Sequence, residues 1–360
     1  MALDIVRHRL HNQLLSQTEL SQPGQVVTCL GAVQSQDYAG AKWAIAQRTT
    51  GLTDSLIDTA FNAGKILRTH LMRPTWHFVT PEDIRWMLAL TAPRVHAGNG
   101  FMYRQLELDR ATIRKSYTAL EEALQGNKNL TRTELALEFE KAGIIAQGQR
   151  LSYFMMSAEL DGIICSGPRR GKQFTYVLLE ERAPRVRKLS RDEALAELAR
   201  RYFSTRGPAT LQDFTWWSGL TMADANKAIE MVKFQFGREV IGKKHYWYDS
   251  SVSPAKEKSP TAHLLPNYDE YFIGFKDRSA IGKIIRQLNL DPNNPAFIAH
   301  IIIIDGQIAG GWRRTLKRDA VIVKLNLLTH LTKTENQAVM AAVEQYGEFL
   351  GLPIEIMNAA

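Results

Sequence analysis

The stretch Ile66-Leu-Arg-Thr-His-Leu-Met72, followed across Arg73 by Pro74-Thr-Trp-His-Phe-Val-Thr80, decides the fold. Both halves are rich in branched, threonine and aromatic residues, the composition of short strands. Proline fixes its own φ and pushes the residue before it out of the helical region, so Arg73-Pro74 reads as the turn between them. Upstream the period is helical. Leu3, Val6, Leu10 and Leu14 recur at helix spacing, Ser21-Gln-Pro-Gly24 breaks the chain, and a second helix begins near Gln25. The helical pattern resumes from Lys42 to Gln47, and Thr53-Asp54-Ser55 caps a further helix that Gly64 stops. Helices closed by a two-stranded ribbon are the pattern of a winged helix.

The same order recurs twice downstream. Ile113 to Gln125 reads as a helix, Thr131-Arg-Thr-Glu134 has capping-box spacing, and Leu151 to Leu160 is a helix followed by strands at Gly162–Cys165 and Phe174–Leu179. A third copy runs through helices at Arg191–Phe203 and Met222–Val232, with a capping-box-like start at Thr210, to a strand pair over Glu239–Tyr248. The repeat lies in the order of elements; the copies share no residue identity. Ser250 to Pro260 reads as a linker. Beyond it, His263–Phe275, Phe297–Ile304, Gln307–Trp312 and Ala320–Leu325 are strand-like, Asp305-Gly306 is a hairpin turn, and Asn336–Leu350 is an amphipathic helix. The expected class is α+β: winged-helix units over 1–80, 81–184 and 185–250, then a small β-rich domain over 261–360.

A net charge of +8 and a pI near 9.4 suit a partner that is a polyanion. The cations cluster at predicted turns: Arg169, Arg170 and Lys172; Arg182, Arg185, Arg187 and Lys188; Lys243 and Lys244; and Arg313 and Arg314 with Lys317 and Arg318. No apolar run is long enough to span a membrane, and the first residues carry no basic leader, so a cytoplasmic protein is expected. Cys29 and Cys165 sit in apolar surroundings and read as core thiols of a reducing compartment. No metal is expected, because His70 and His77 have no partner at ligand spacing, and no glycine-rich loop opens a helix to cradle a nucleotide.

Gln34-Ser-Gln36-Asp37 interrupts the apolar run Val26 to Val33. A glutamine amide both donates and accepts but does not ionise, which suits it to holding a water rather than moving a proton. Residues i and i+2 diverge on a helix and share a side in extended chain, so the two amides address one point only if the helix breaks near Ser35. Otherwise they are a solvated helix end. Asp269-Glu270 lies in the aromatic stretch Leu264 to Arg278. These carboxylates either serve as a base or cation stabiliser, or anchor Arg278 or Arg314 across a domain contact. Trp216-Trp217 reads as core packing rather than a base-stacking platform.

Taken together, Gly31-Ala-Val-Gln-Ser-Gln36, Leu71-Met-Arg-Pro-Thr-Trp-His-Phe78, Arg206-Gly-Pro-Ala-Thr210 with Trp216-Trp-Ser-Gly-Leu220, Leu265-Pro-Asn-Tyr-Asp-Glu270 with Lys276-Asp-Arg278, and Asp305-Gly306 with Gly311-Trp312 resemble the AlkZ/YcaQ family of bacterial DNA glycosylases. The resemblance covers nearly the whole chain. It implies three tandem winged helices followed by a β-barrel-like domain around a DNA-sized channel, and excision of N-alkylated purines, including release of interstrand crosslinks. The family's catalytic Gln–apolar–Gln motif falls on Gln34 and Gln36, with Ser35 at the position that is usually apolar.

The resemblance gives the remaining candidates their roles. Gln34 and Gln36 position a water; Asp37 and Asp269 are accessory candidates. His70, Arg73 and His77 of the first ribbon, with Arg169, Arg170, Lys172, Lys243, Lys244, Arg313 and Arg314, are the expected DNA contacts. No metal or cofactor is needed, the partner is duplex DNA with alkylated or crosslinked purines, and the protein is expected to be a nucleoid-associated cytoplasmic monomer. The alternative is a winged-helix transcriptional regulator without catalysis, which would dimerise on an operator.

Overall fold

The computed structural model describes residues 3–183, 188–254, 259–290 and 300–358. Arg185 and Arg187 of the second basic group, residues 255–258 of the expected linker, and the start of the expected strand at Phe297 lie outside the described residues.

The first part of the chain runs α1 (Ile5–Asn12), α2 (Pro23–Leu30), β1 (Val33–Gln34), α3 (Tyr38–Ala46), α4 (Asp54–Asn62), β2 (Leu67–Leu71) and β3 (Thr75–Val79). The Arg73-Pro74 ribbon forms as expected, with Leu67 opposite Val79 and Leu71 opposite Thr75. The helix expected from Gln25 is cut short. Gly31 takes φ +77°, a region costly for other residues, and the chain then joins the ribbon as a third strand, giving the order β1-β3-β2.

The next part holds α5 (Ile84–Gln105), α6 (Arg110–Leu124), β4 (Leu130–Thr131), α7 (Arg132–Lys141), α8 (Gln149–Leu160), β5 (Ile164–Ser166), β6 (Thr175–Leu178) and α9 (Leu179–Arg182), with sheet order β4-β6-β5. Then come α10 (Arg191–Arg206), α11 (Leu211–Ser218), α12 (Met222–Val232) and the two-stranded β7 (Gly237–Ile241) and β8 (Lys244–Tyr248). The capping boxes expected at Thr131 and Thr210 both form. Such a cap contributes about 1 kcal/mol to its helix. α5 has no counterpart in the sequence pattern; it carries Pro93 in its interior.

The last part comprises β9 (Ala262–Leu265), α13 (Glu270–Ile273), α14 (Lys283–Gln287), β10 (Ile301–Ile304), β11 (Gln307–Leu316), β12 (Val321–Leu327), α15 (Lys333–Leu350) and β13 (Ile354–Asn358). Two expectations are corrected. His263–Phe275 is strand only to Leu265, because Asp269 turns the chain by capping α13. The β-barrel-like domain is, among the described residues, an open five-stranded sheet in the order β13-β12-β11-β10-β9. α15 lies against β9, and β13 returns parallel to β12 at the far edge, so the two ends do not meet.

The apolar cores cross the expected domain boundaries. One joins Leu67 and Leu71 of the first ribbon to Leu195, Phe214 and Trp217 of the third unit and to Phe275. Another packs Val26, Trp43 and Phe78 against Ile302, Val321 and Tyr346. Trp43 Nε1–H donates to the Leu264 carbonyl at 2.7 Å, which ties α3 to the last sheet, and within that sheet Trp312 Nε1–H donates to the Leu265 carbonyl at 2.8 Å. Each fully buried large apolar side chain is worth roughly 1.5–3 kcal/mol. Residues 108–176, by contrast, carry a core of their own. Among the described residues no helix is long and apolar enough to cross a membrane.

Candidate active site

Gln34 and Gln36 sit where strand gives way to helix. Val33 pairs with Phe78 and Gln34 with His77, and the Ser35 N–H donates to the Trp76 carbonyl at 2.8 Å. Asp37 then starts α3, its Oδ1 accepting the Gly40 N–H at 3.0 Å. The chain is extended through Ser35 and bends at Gln36, so no helix intervenes between the two amides, the condition under which they can serve one point. Gln34 is buried and Gln36 exposed.

Hydrogen-bond chemistry orients both amides. Arg73 Nη2, which can only donate, lies 3.2 Å from Gln34 Oε1. The Trp76 backbone N–H, also a donor, lies at a long 3.4 Å from Gln36 Oε1. Each amide therefore turns its oxygen to the protein, and neither NH2 group has a partner among the described residues. Ser35 is buried beneath them. Its carbonyl accepts from Arg68 Nε at 3.1 Å, while its hydroxyl has no partner among the described residues.

The segment is held from behind by Glu270. Its Oε1 accepts the Gln34 backbone N–H at 2.9 Å; its Oε2 accepts from Arg206 Nη2 at 2.6 Å and Trp217 Nε1 at 2.9 Å. Arg206 in turn donates to the carbonyls of Leu30 at 2.8 Å and Ala32 at 3.4 Å, so one buried ion pair grips both sides of the Gly31 turn. Glu270, in sequence a candidate base, cation stabiliser or anchor for Arg278 or Arg314, is an anchor for Arg206, to which the sequence assigns no such role. Nothing in a linear sequence joins Leu30, Arg206 and Glu270.

Asp269 behaves as a domain anchor: both its oxygens face Arg48, at 2.7 and 2.9 Å, and both groups are buried. The partner is Arg48, not Arg278 or Arg314. Arg314 instead lies 3.2 Å from Asp37, so Asp37 both caps α3 and pairs across to β11. Asp37→Asn is expected to keep the cap and most of the stability, whereas Asp37→Ala loses about 1 kcal/mol in denaturant unfolding. Equal losses in the two variants would assign the stability to the ion pair instead.

The candidate DNA contacts divide. His77 is fully buried, and burial with Arg73 nearby pushes its pKa down to about 3, so it is neutral and cannot reach a phosphate. His70 is buried too, hydrogen-bonded to Glu159, with its ring 4.3 Å from that of Trp76. Arg169 lies 3.5 Å from Asp58 and over the Tyr38 ring, and Arg170 pairs with Glu134. Lys244 pairs with Asp277 at 2.5 Å. Lys172, Lys243 and Arg313 are exposed. Of the two tryptophans read as core, Trp217 is fully buried, but Trp216 is 42% exposed and faces Arg73.

Buried neutral histidines make stability fall in acid. His77 binds no proton in the folded state until about pH 3, and the half-buried His263 and His300 not until about pH 4. The unfolded chain takes those protons near pH 6.5. The stability is therefore complete above that value and declines as pH falls, by about 1.4 kcal/mol per pH unit for each group. Denaturant midpoints are expected to drop from pH 7 to pH 5, and His77→Gln to flatten that slope. An unchanged slope in the variant would remove His77 from the account.

This arrangement has known relatives. A profile of the DNA glycosylase AlkZ-like family matches residues 27–349. A Streptomyces sahachiroi protein named interstrand DNA cross-link repair glycosylase is 22% identical over 323 residues, spanning 84% of this chain and 85% of its own length. The solved structure of Streptomyces sahachiroi DNA glycosylase AlkZ superposes with a TM-score of 0.78 at 19% identity, covering 98% of both chains. With a match reaching from α2 to the end of α15, the chain belongs to the AlkZ-like DNA glycosylase family.

Proposed function

We propose that this protein is a monofunctional glycosylase for N7- and N3-alkylated purines in duplex DNA, crosslinked purines included, with a water held by Gln34 and Gln36. The observation that carries this reading is the pair of oriented amides on one non-helical segment, with free NH2 groups and a buried clamp behind them. An alkylated purine is already cationic and needs no acid to leave. The water oxygen bonds C1′, the C1′–N pair departs with the base and neutralises it, and the water's proton passes to solvent. What the protein supplies is orientation, which can account for several kcal/mol of a barrier. The relative named for cross-link repair supports the bulky end of the substrate range.

In the same reading the three helix-and-ribbon units are winged helices, with boundaries near residues 80, 184 and 250, that act as a monomer on sequence-independent phosphate contacts. Lys172, Lys243 and Arg313 are exposed cations available for them. The test is a single-turnover base-release assay on duplex DNA carrying N7-methylguanine or an interstrand purine crosslink. Free base is the expected product. Tight binding with no release from either substrate would favour the regulator.

A further inference from the structure

Two arginines beside the glutamines, Arg73 and Arg278, have carboxylates only at longer range, Glu270 and Asp213 respectively. Arg73 donates one hydrogen bond, to Gln34, and Arg278 donates one, from Nε to the Phe272 carbonyl at 3.1 Å. Among the described residues neither has a carboxylate at ion-pair distance, unlike Arg48, Arg201, Arg206 and Arg314. Both guanidiniums face the same indole: Arg73 lies 5.8 Å and Arg278 6.0 Å from the Trp216 ring. Arg278 is held below the usual arginine range first by burial and then by the charge of Arg73. Partly desolvated like charges side by side are costly unless an anion joins them.

The scaffold enforces the grouping. Gly219 ends α11 at φ +72°, and a Cβ there would come within 2.6 Å of the Met72 carbonyl, so the turn of the first ribbon packs directly on the end of α11. Trp216 Nε1–H is tied to the Ile273 carbonyl at 3.1 Å, and the residue remains 42% exposed.

We propose that Arg73, Arg278 and Trp216 form a backbone subsite for the damaged strand: the two guanidiniums take one phosphodiester phosphate next to the lesion, and the indole stacks on the adjoining base. The proposal rests on DNA as the substrate, as proposed above. A guanidinium fork matches phosphate oxygens, and an indole stacks on any base, so the subsite reads no sequence.

Binding of the full-length protein to a duplex with a tetrahydrofuran abasic site tests it, because no base release is needed. Arg278→Gln is expected to weaken binding about tenfold and to lower the salt slope by about one, with Arg278→Lys keeping the slope. Trp216→Ala is expected to lose about tenfold, and Trp216→Phe less. Neutral methylphosphonates are then placed singly around the lesion. One position should weaken the wild type clearly more than Arg278→Gln, which keeps only the Arg73 contact there. Equal losses for both proteins at every position, or unchanged affinity and slope in Arg278→Gln, would overturn the subsite. Wild-type binding without base release overturns the glycosylase reading and leaves the subsite standing; release with no Arg278 effect does the reverse.

Discussion

Gln34→Ala and Gln36→Ala are each expected to slow single-turnover base release by ~10² to 10³ while duplex binding stays within a few-fold of wild type, the loss typical of one well-placed hydrogen-bonding group. The two amides differ in setting, and so should the variants. Gln34 is buried, and its oxygen is fixed by a guanidinium, so alanine also removes a partner of Arg73. Gln36 is exposed and held only by a 3.4 Å contact. Its loss should cost little stability, which makes Gln36→Ala the cleaner probe of the chemistry. Release surviving both substitutions would place the water elsewhere.

Glu270→Ala should be the most damaging single change to the fold, destabilising it by about 3–5 kcal/mol because it strands Arg206 as an unpaired buried charge. The same substitution leaves the Gln34 N–H and the Trp217 indole N–H without their acceptor. Stability and positioning can be separated. A Glu270→Leu, Arg206→Met double variant removes both charges and should recover most of the denaturant midpoint, since well-packed apolar pairs often replace buried ion pairs without loss. Base release should remain slow in that variant, because nothing then grips Leu30, Ala32 and Gln34. A double variant with full stability and the wild-type rate would reduce the clamp to a structural role.

The ribbon at Ile66–Thr80, the capping boxes at Thr131 and Thr210 and the extent of α12 were legible in sequence because each is local: a turn, a hydroxyl three residues from its partner, a helical period. So was the Gln34–Gln36 segment, as two polar side chains in an apolar run. The family resemblance was legible for the same reason, through short motifs in a fixed order. What misled was composition read without partners. His70 and His77 on the ribbon look like phosphate contacts until packing buries them, and Asp269 looks reactive until Arg48 covers both its oxygens.

Tertiary structure alone decided what surrounds the glutamines. The sequence by itself determined two amides two residues apart in an apolar run and left open whether the helix breaks between them; in the structure Gly31 ends one helix and Asp37 starts the next. Sequence could not determine where that break would lie, since strand addition to β3, the Glu270–Arg206 clamp and the Arg73–Trp216–Arg278 group join residues far apart in the chain. Adjacent tryptophans show the same limit: Trp216 and Trp217 share a helix and a side-chain type, yet one is exposed beside two arginines and the other sealed in the core. On a helix, neighbours point about 100° apart, and only the packing of α11 against the first ribbon settles which of them meets solvent.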